Sequence, residues 1–417
     1  MNFYLDRYGF QAPKITEAPQ DNLSLIIVIP CFNEPDLIQS LEAILACDLP
    51  KGKSIEVITV INAGVHHDES IKEHNQETYE QALKWAAAIN TPALTFYFIL
   101  EDSLPKKHAG VGLARKIGMD ESVARFEWVG KDGIIICFDA DATCTPNYLI
   151  EIERHFREHP KTPGCSIHYE HPIEGEVFAD EIYQGIINYE LHLRYYNQCL
   201  RFANLPYAFH TVGSSMAVRS SAYQKQGGMN KRKAGEDFYF IHKIIALGHF
   251  TELKTTMVIP SPRTSDRVPF GTGKAIGDWI AAGEDVYKTY AFKSFEIIKA
   301  FVAVIPSLQE KELADCQINS EEQGKKLLVD FLKSIDFDKA LADIRKNSTT
   351  LASFKKRFFQ WFDAFKILKA VHFFRDQGYD NQPVLNETQL LFDSTGVEDM
   401  FENERAQLRY LRLLESK

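Results

Sequence analysis

The first half of the chain alternates continuous apolar runs with segments of helical periodicity. Four apolar runs have the composition of strands buried on both faces: 24–30, 55–61, 94–100 and 133–139. Three segments between them have the spacing of amphipathic helices: 35–46, 68–89 and 109–126. Strand followed by helix, repeated in this order, predicts an α/β fold with a doubly wound, mostly parallel central sheet.

After residue 146 the pattern becomes less regular. We expect further helices at 146–158, 177–202 and 236–247, with short strands near 207–219. From about residue 280 the pattern is helical to the end, without a clear strand. The sequence therefore predicts an α/β domain over 1–280 and a helical C-terminal region over 281–417.

Polar side chains follow three of the predicted strands. Asp139 and Asp141 end the fourth apolar run, Asn33 and Glu34 follow the first, and Asn62 follows the second. Ligands of parallel α/β sheets bind at the carboxyl ends of the strands, so these residues are predicted to share one edge. Two carboxylates one residue apart at a turn can both reach a divalent cation such as Mg²⁺ or Mn²⁺, which can bridge two phosphates.

Each of these features also has a purely structural interpretation. The Asp-Ala-Asp stretch can be a solvated turn, and Asn33-Glu34 can cap the helix that follows. Glu236-Asp237 can be acidic residues that favour a helix N-terminus. Arg115 can be a solvated helix arginine. Where these residues lie in the fold will distinguish a purely structural role from a role in binding.

Five motifs occur in an order that resembles family 2 glycosyltransferases of the GT-A fold. They are VIPCFNEPD (28–36), GVGLARKIGMD (110–120), CFDADAT (137–143), TVGSSMAVRSSAYQKQGGMN (211–230) and GEDFYF (235–240). The resemblance covers about residues 22–270. It implies a Rossmann-like GT-A domain that transfers a sugar from a nucleotide-diphosphate donor to an acceptor hydroxyl, with inversion.

The resemblance also assigns roles to individual residues. Donor-binding residues would be Pro30, Asn33, Glu34, Asn62, Arg115, Asp139, Asp141, Arg263 and Arg267, and the diphosphate would lie near Gly112, Ala114, Arg115 and Gly118. Asp139 and Asp141 would bind the metal, Mn²⁺ or Mg²⁺. The sugar and acceptor would contact Gly213, Ser214 and Glu236, and Asp237 would be the general base.

Asn62 departs from the family pattern, which has an aspartate that meets the nucleotide base at this position. Asparagine offers both a donor and an acceptor, so the identity of the base stays open. Arg263 and Arg267 lie in a loop, 261–273, where related enzymes have a basic lid over the diphosphate. The alternative is a surface pair between Arg263 and Asp266, which would contribute little.

Composition limits the other possibilities. The net charge of −10 argues against a general nucleic-acid-binding protein. The start MNFYLDRYGF lacks the apolar core of a secretory signal, and no run reaches the about 18 apolar residues of a spanning helix. Seven scattered cysteines show neither a disulfide framework nor metal spacing, which is typical of a reducing compartment such as the cytoplasm.

The segment 354–374 combines an aromatic stripe with lysines on its other side. Core packing is the favoured interpretation, and peripheral membrane contact near a lipid-linked acceptor is the alternative. Carbohydrates and small molecules are the other acceptor classes. Two alternative functions remain: a non-catalytic relative that binds nucleotide sugars or a partner protein, and a sugar-phosphate nucleotidyltransferase. The second lacks support because the first-strand loop contains no glycine.

Overall fold

A computed structural model of the chain describes residues 2–233, 235–265, 267, 271–283 and 286–417. The chain divides into two compact units. Unit 1 comprises Met1–Ile186, Thr211–Ala281 and Glu415–Lys417, and unit 2 comprises Ile187–His210 and Ala282–Leu414.

Unit 1 is built on an eight-stranded sheet. Its strands are β1 (Leu23–Cys31), β2 (Ser54–Gly64), β3 (Leu94–Leu104), β4 (Ile134–Cys137), β5 (Thr143–Cys144), β6 (Gly164–Tyr169), β7 (Met216–Arg219) and β8 (Thr251–Ile259). Their order is β3-β2-β1-β4-β7-β6-β8-β5. The strands β3, β2, β1 and β4 run parallel, whereas β7 is antiparallel to both β4 and β6. The strand β8 is parallel to β6 and antiparallel to β5.

Helices cover both faces of this sheet. The helices of unit 1 are α1 (Phe3–Tyr8), α2 (Leu37–Leu45), α3 (Glu69–Ile89), α4 (Val111–Trp128), α5 (Tyr148–Glu158), α6 (Asp180–Phe202, which continues into unit 2), α7 (Ser220–Lys225), α8 (Glu236–Ile245) and α9 (Thr272–Ala282). Successive side chains of a strand point to opposite faces. Thus Ile27 packs in one core with Leu41 of α2, and Val28 packs in the other with Val123 of α4. The predicted α/β, doubly wound class is confirmed.

The helix α4 lies very close to β1. A Cβ added at Gly118 would be 2.5 Å from Cγ1 of Val28, a separation that packed carbon atoms do not adopt. Glycine at this position therefore allows the helix to approach the strand, and it fixes the place of Arg115 one turn earlier.

Unit 2 is mainly helical. Its further helices are α10 (Phe292–Val304), α11 (Glu322–Ser334), α12 (Phe337–Lys346), α13 (Leu351–Trp361), α14 (Ala364–Asp376), α15 (Val384–Thr395) and α16 (Glu404–Ser416), with 3₁₀ turns at Ile305–Gln309 and Leu313–Asp315. The strands β9 (Lys288–Thr289) and β10 (Gln382–Pro383) pair antiparallel. The prediction of no strand after residue 280 is wrong here, because two-residue strands are too short to produce a pattern in the sequence.

The aromatic stripe of 354–374 lies on two helices rather than one. After α13 the chain turns at Phe362, and the side chain of Asp363 caps α14 by accepting from the backbone N–H of Lys366 at 3.0 Å. Phe354, Phe358 and Phe362 are fully buried in unit 2, as core packing requires. None of the helices in the described ranges has the length and apolar character needed to cross a bilayer.

Candidate active site

The parallel pairing of β1 and β4 brings the first two acidic motifs to one sheet edge. Val28 is the register partner of Cys137, the last residue of β4, and β1 continues in the same direction to Cys31. The chain leaves β1 into Glu34 and leaves β4 into Asp139 and Asp141. The convergence predicted from strand order is therefore present in the structure.

Arg115 connects this edge to the start of α8. Its side chain is buried, with 3% of the residue exposed. One terminal nitrogen donates to the carboxylate of Glu236 and the other to that of Asp139. The guanidinium packs directly against Gly213, where an added Cβ would be 2.6 Å from Nη1. Four predicted site residues from four separate motifs thus share one contact group.

Arg263 makes a second contact group from the opposite side. It forms an ion pair with Glu34, a contact of 2.8 Å to Asp141 and one of 3.0 Å to Asp36. Arg267 adds a contact of 2.8 Å to Glu34 and donates to the carbonyl oxygen of Phe32 at 3.0 Å. The loop arginines therefore lie over the Asp-Ala-Asp turn and the first-strand motif. The alternative pairing with Asp266 involves a residue outside the described ranges.

Acidic groups outnumber basic groups at this site. Three arginines face six carboxylates: Glu34, Asp36, Asp139, Asp141, Glu236 and Asp237. Burial raises the pKa of Asp141 to about 6, and the charge of Asp139 adds to the rise. Burial raises the pKa of Glu236 to about 7, although Arg115 opposes the change. A cation bound here would favour the ionised form of these carboxylates and lower their pKa again.

The pair Asp139 and Asp141 suits a hard divalent cation. The described residues contain no group of three or more His, Cys, Asp or Glu side chains arranged to hold a metal. Mg²⁺ is commonly bound through one or two carboxylates, with substrate phosphates and water completing the shell. Two carboxylates in a locally acidic pocket therefore fit such an ion when a diphosphate is also bound.

Asn75 connects the ends of β1 and β2 by hydrogen bonds, and the sequence analysis did not predict this role. Asn75 is a buried residue of α3, and its amide accepts from the backbone N–H of Asn33 at 2.9 Å and donates to the carbonyl oxygen of Asn62 at 3.0 Å. Asn33 itself has a positive φ of 48°, and its side chain contacts His74 at 2.8 Å. The sequence feature that could have indicated this role is a polar residue on the buried side of a predicted helix.

The remaining predicted residues take less direct positions. Pro30 is buried within β1 opposite Val60, so it shapes the strand end rather than facing the edge. Ser214 is buried beside Gly213, and its hydroxyl lies 3.4 Å from that of Ser215. Asp237 lies at the start of α8, partly exposed, and accepts from the backbone N–H of Phe238 at 2.7 Å. Burial also raises the pKa of Asp237.

A family comparison agrees with this geometry. Residues 134–281, about a third of the chain, match the model described as Glycosyl transferase family group 2. Over this segment the chain is similar to family 2 glycosyltransferases. The match begins with β4 and includes the Asp-Ala-Asp turn, Gly213 and Glu236. The family resemblance and the enzyme class predicted from the sequence motifs are confirmed.

Solved structures of glycosyltransferases show a more distant likeness. S. aureus TarS 1–349 in complex with UDP-GlcNAc is 12% identical, with 94% of this chain and 91% of that chain covered and a TM-score of 0.38. The mannosyltransferase PcManGT from Pyrobaculum calidifontis, in complex with GDP-Man and Mn²⁺, is 14% identical, with 99% and 91% covered and a TM-score of 0.35. At these scores the likeness carries no argument about fold or ligands. No curated protein matches the chain in sequence.

Proposed function

We propose that this protein is a metal-dependent glycosyltransferase of family 2 that moves a sugar from a nucleotide-diphosphate donor to an acceptor hydroxyl with inversion. The observation that carries the proposal is the double contact of Arg115. By joining Asp139 to Glu236, it connects the metal-binding turn to the helix that begins with the base. A solvated arginine or an isolated acidic turn would not require this arrangement.

The donor diphosphate would lie between the two arginine groups. Asp139 and Asp141 would hold the divalent cation, which when bound neutralises charge on the departing diphosphate. Arg263 and Arg267 reach the same place from the loop, and their guanidinium groups suit phosphate oxygens. Stabilising the leaving group matters because sugar transfer passes through an oxocarbenium-like state with charge developing on the phosphate.

Asp237 would remove the proton from the acceptor hydroxyl. It is partly exposed, and burial raises its pKa above that of an ordinary aspartate, which makes it a stronger base. Glu236 is buried against Arg115 and would hold that guanidinium in place rather than accept the proton. The two neighbouring acids therefore have separate roles.

The nucleotide base would lie near Asn33 and Asn62, whose backbones Asn75 joins. The acceptor would approach from the side of Gly213 and Ser214. Carbohydrates, lipid-linked molecules and small molecules remain the predicted acceptor classes. A cytoplasmic location and peripheral membrane contact through 354–374 also remain predictions.

Single amide substitutions test these assignments. Asp139→Asn and Asp141→Asn should each weaken Mn²⁺-dependent binding of nucleotide diphosphates, measured by calorimetry. Asp237→Asn should retain that binding and lose about 10²–10⁴-fold in transfer or donor hydrolysis with a panel of nucleotide sugars. Asp102→Asn is the matched control, because Asp102 is an exposed acid near the end of β3, the edge strand three positions from β4.

The outcomes separate the alternatives. Donor affinity that is the same with and without Mn²⁺ would contradict the metal site. Near-normal turnover of Asp237→Asn would remove it as the base. Tight binding of nucleotide sugars without any turnover by the unaltered protein would favour the non-catalytic relative.

A further inference from the structure

Two cysteines lie side by side near the Asp-Ala-Asp turn. Cys47 follows α2, Cys144 is in β5, and their sulfur atoms are 3.5 Å apart. All seven cysteines are free thiols, and only Cys144 and Cys316 are partly exposed. The combination of a close partner thiol and an exposed position is therefore found only at Cys144.

The backbone holds the two segments together beside this pair. The N–H of Asp48 donates to the carbonyl oxygen of Pro146 at 2.8 Å, one residue from Cys47 and two from Cys144. A disulfide has a sulfur–sulfur distance of about 2.05 Å, so the two atoms must approach by roughly 1.5 Å. That approach would need rotation of the two side chains or a small shift of either segment.

We propose that Cys47 and Cys144 are an oxidation site that closes to an intramolecular disulfide in the presence of a peroxide. One thiol loses its proton, and the thiolate attacks hydrogen peroxide and becomes a sulfenic acid; the hydroxide that leaves takes up that proton and departs as one water molecule. The other sulfur then attacks the sulfenic sulfur, and its proton leaves with the hydroxyl group as a second water molecule. Two thiols are oxidised and one peroxide is reduced.

The protonation chemistry agrees with this order of events. The hydrogen bond between the two thiols lowers the pKa of Cys47, because Cys144 can donate to its thiolate. By contrast, burial raises the pKa of Cys165 to about 12 and that of Cys137 also to about 12. Those two thiols therefore have little thiolate to react.

The disulfide would restrain the segment that carries the metal-binding turn. Cys144 is three residues after Asp141, and β5 pairs with Val258 and Ile259 of β8, just before the loop that carries Arg263. A shift of β5 is therefore transmitted to both sides of the contact of 2.8 Å between Asp141 and Arg263. This coupling rests on the proposed function, whereas the oxidation site does not.

Peptide mapping tests the oxidation site. The full chain is treated with hydrogen peroxide, alkylated while denatured, digested without reductant and analysed by mass spectrometry. We expect one cross-linked product that joins the peptides of Cys47 and Cys144, reversed by dithiothreitol. Cys316→Ser should give the same product, and Cys47→Ser and Cys144→Ser should each abolish it. Free thiols at both positions after treatment, or only sulfinic acid at Cys144, would overturn the proposal.

Manganese binding tests the coupling. Mn²⁺ affinity in the presence of a nucleoside diphosphate should differ between reduced and oxidised protein by about fivefold or more, at the low end of ordinary coupling between sites. Equal affinities would refute the coupling and leave the cross-link result intact. Absence of Mn²⁺ binding in the reduced protein would contradict the proposed metal site instead.

Discussion

Gly213 offers a sharp test of the site, because a single methyl group there must displace Arg115. An added Cβ would be 2.6 Å from Nη1, 2.7 Å from Nη2 and 2.9 Å from Cζ of that side chain. Exposed ends of flexible side chains can move away from such contacts. Arg115 is buried and tied to Asp139 and Glu236, so its movement would break two ion pairs.

We expect Gly213→Ala to destabilise unit 1 by about 1–3 kcal/mol, the ordinary cost of overpacking a filled interior. For a unit of this size the melting temperature should fall by roughly 2–6 °C. Differential scanning calorimetry of metal-free protein measures the shift. Mn²⁺-dependent binding of nucleotide diphosphates should also weaken, because Asp139 loses its fixed partner.

Gly277→Ala is the matched control. Gly277 lies within α9, and its added Cβ would meet nothing closer than 3.9 Å. Alanine is favoured over glycine inside helices by about 0.5–1 kcal/mol, so this variant should be as stable as the unaltered protein or slightly more so. If Gly213→Ala melts at or above the temperature of the unaltered protein, the packing of Gly213 against Arg115 is wrong.

Two further predictions concern pH and the second unit. Because burial raises the pKa of Glu236 to about 7 in the folded protein, its contribution to stability is fully present below its unfolded pKa and is lost as pH rises through 7. Between pH 5 and 8, the free energy of unfolding of the metal-free protein should therefore fall by on the order of 2 kcal/mol more than that of Glu236→Gln, as measured by urea unfolding. If the free energies of unfolding of the two proteins change in parallel with pH, the assignment is wrong. Phe358→Ala should destabilise unit 2 by about 3–5 kcal/mol, because Phe358 is fully buried among aromatic rings; the exposed Lys356→Ala should have little effect in the same calorimetric measurement.

The strands that could be predicted are those whose burial leaves a signal in composition. The strands β1, β2, β3 and the start of β4 are continuous apolar runs because the sheet is covered on both faces. The strand β8 reads TELKTTMVI and alternates buried with partly exposed residues, and β6 is only six residues long. Their pairing depends on partners far away in sequence, so local pattern gave no indication of them.

The candidate site shows the same limit. Strand order predicted that Glu34, Asp139 and Asp141 share an edge, because parallel strands end together. It could not predict that Arg115 contacts a residue 121 positions later, since that contact depends on how α4 and α8 pack. The contact between Cys47 and Cys144 could not be predicted from the sequence either, because the two residues are separated by 97 positions.

The reversed direction of β7 places two kinds of loop at the same edge of the sheet. Since β7 is antiparallel to β4, the segment that enters β7 lies beside the segment that leaves β4. In the proposed function, the donor-binding residues would lie on loops that follow strands, whereas Gly213 and Ser214 would contact the acceptor from a loop that precedes one. Changes in the length of the segment before β7 would then alter acceptor preference and leave the donor loops in place, so that one donor scaffold could serve many acceptors.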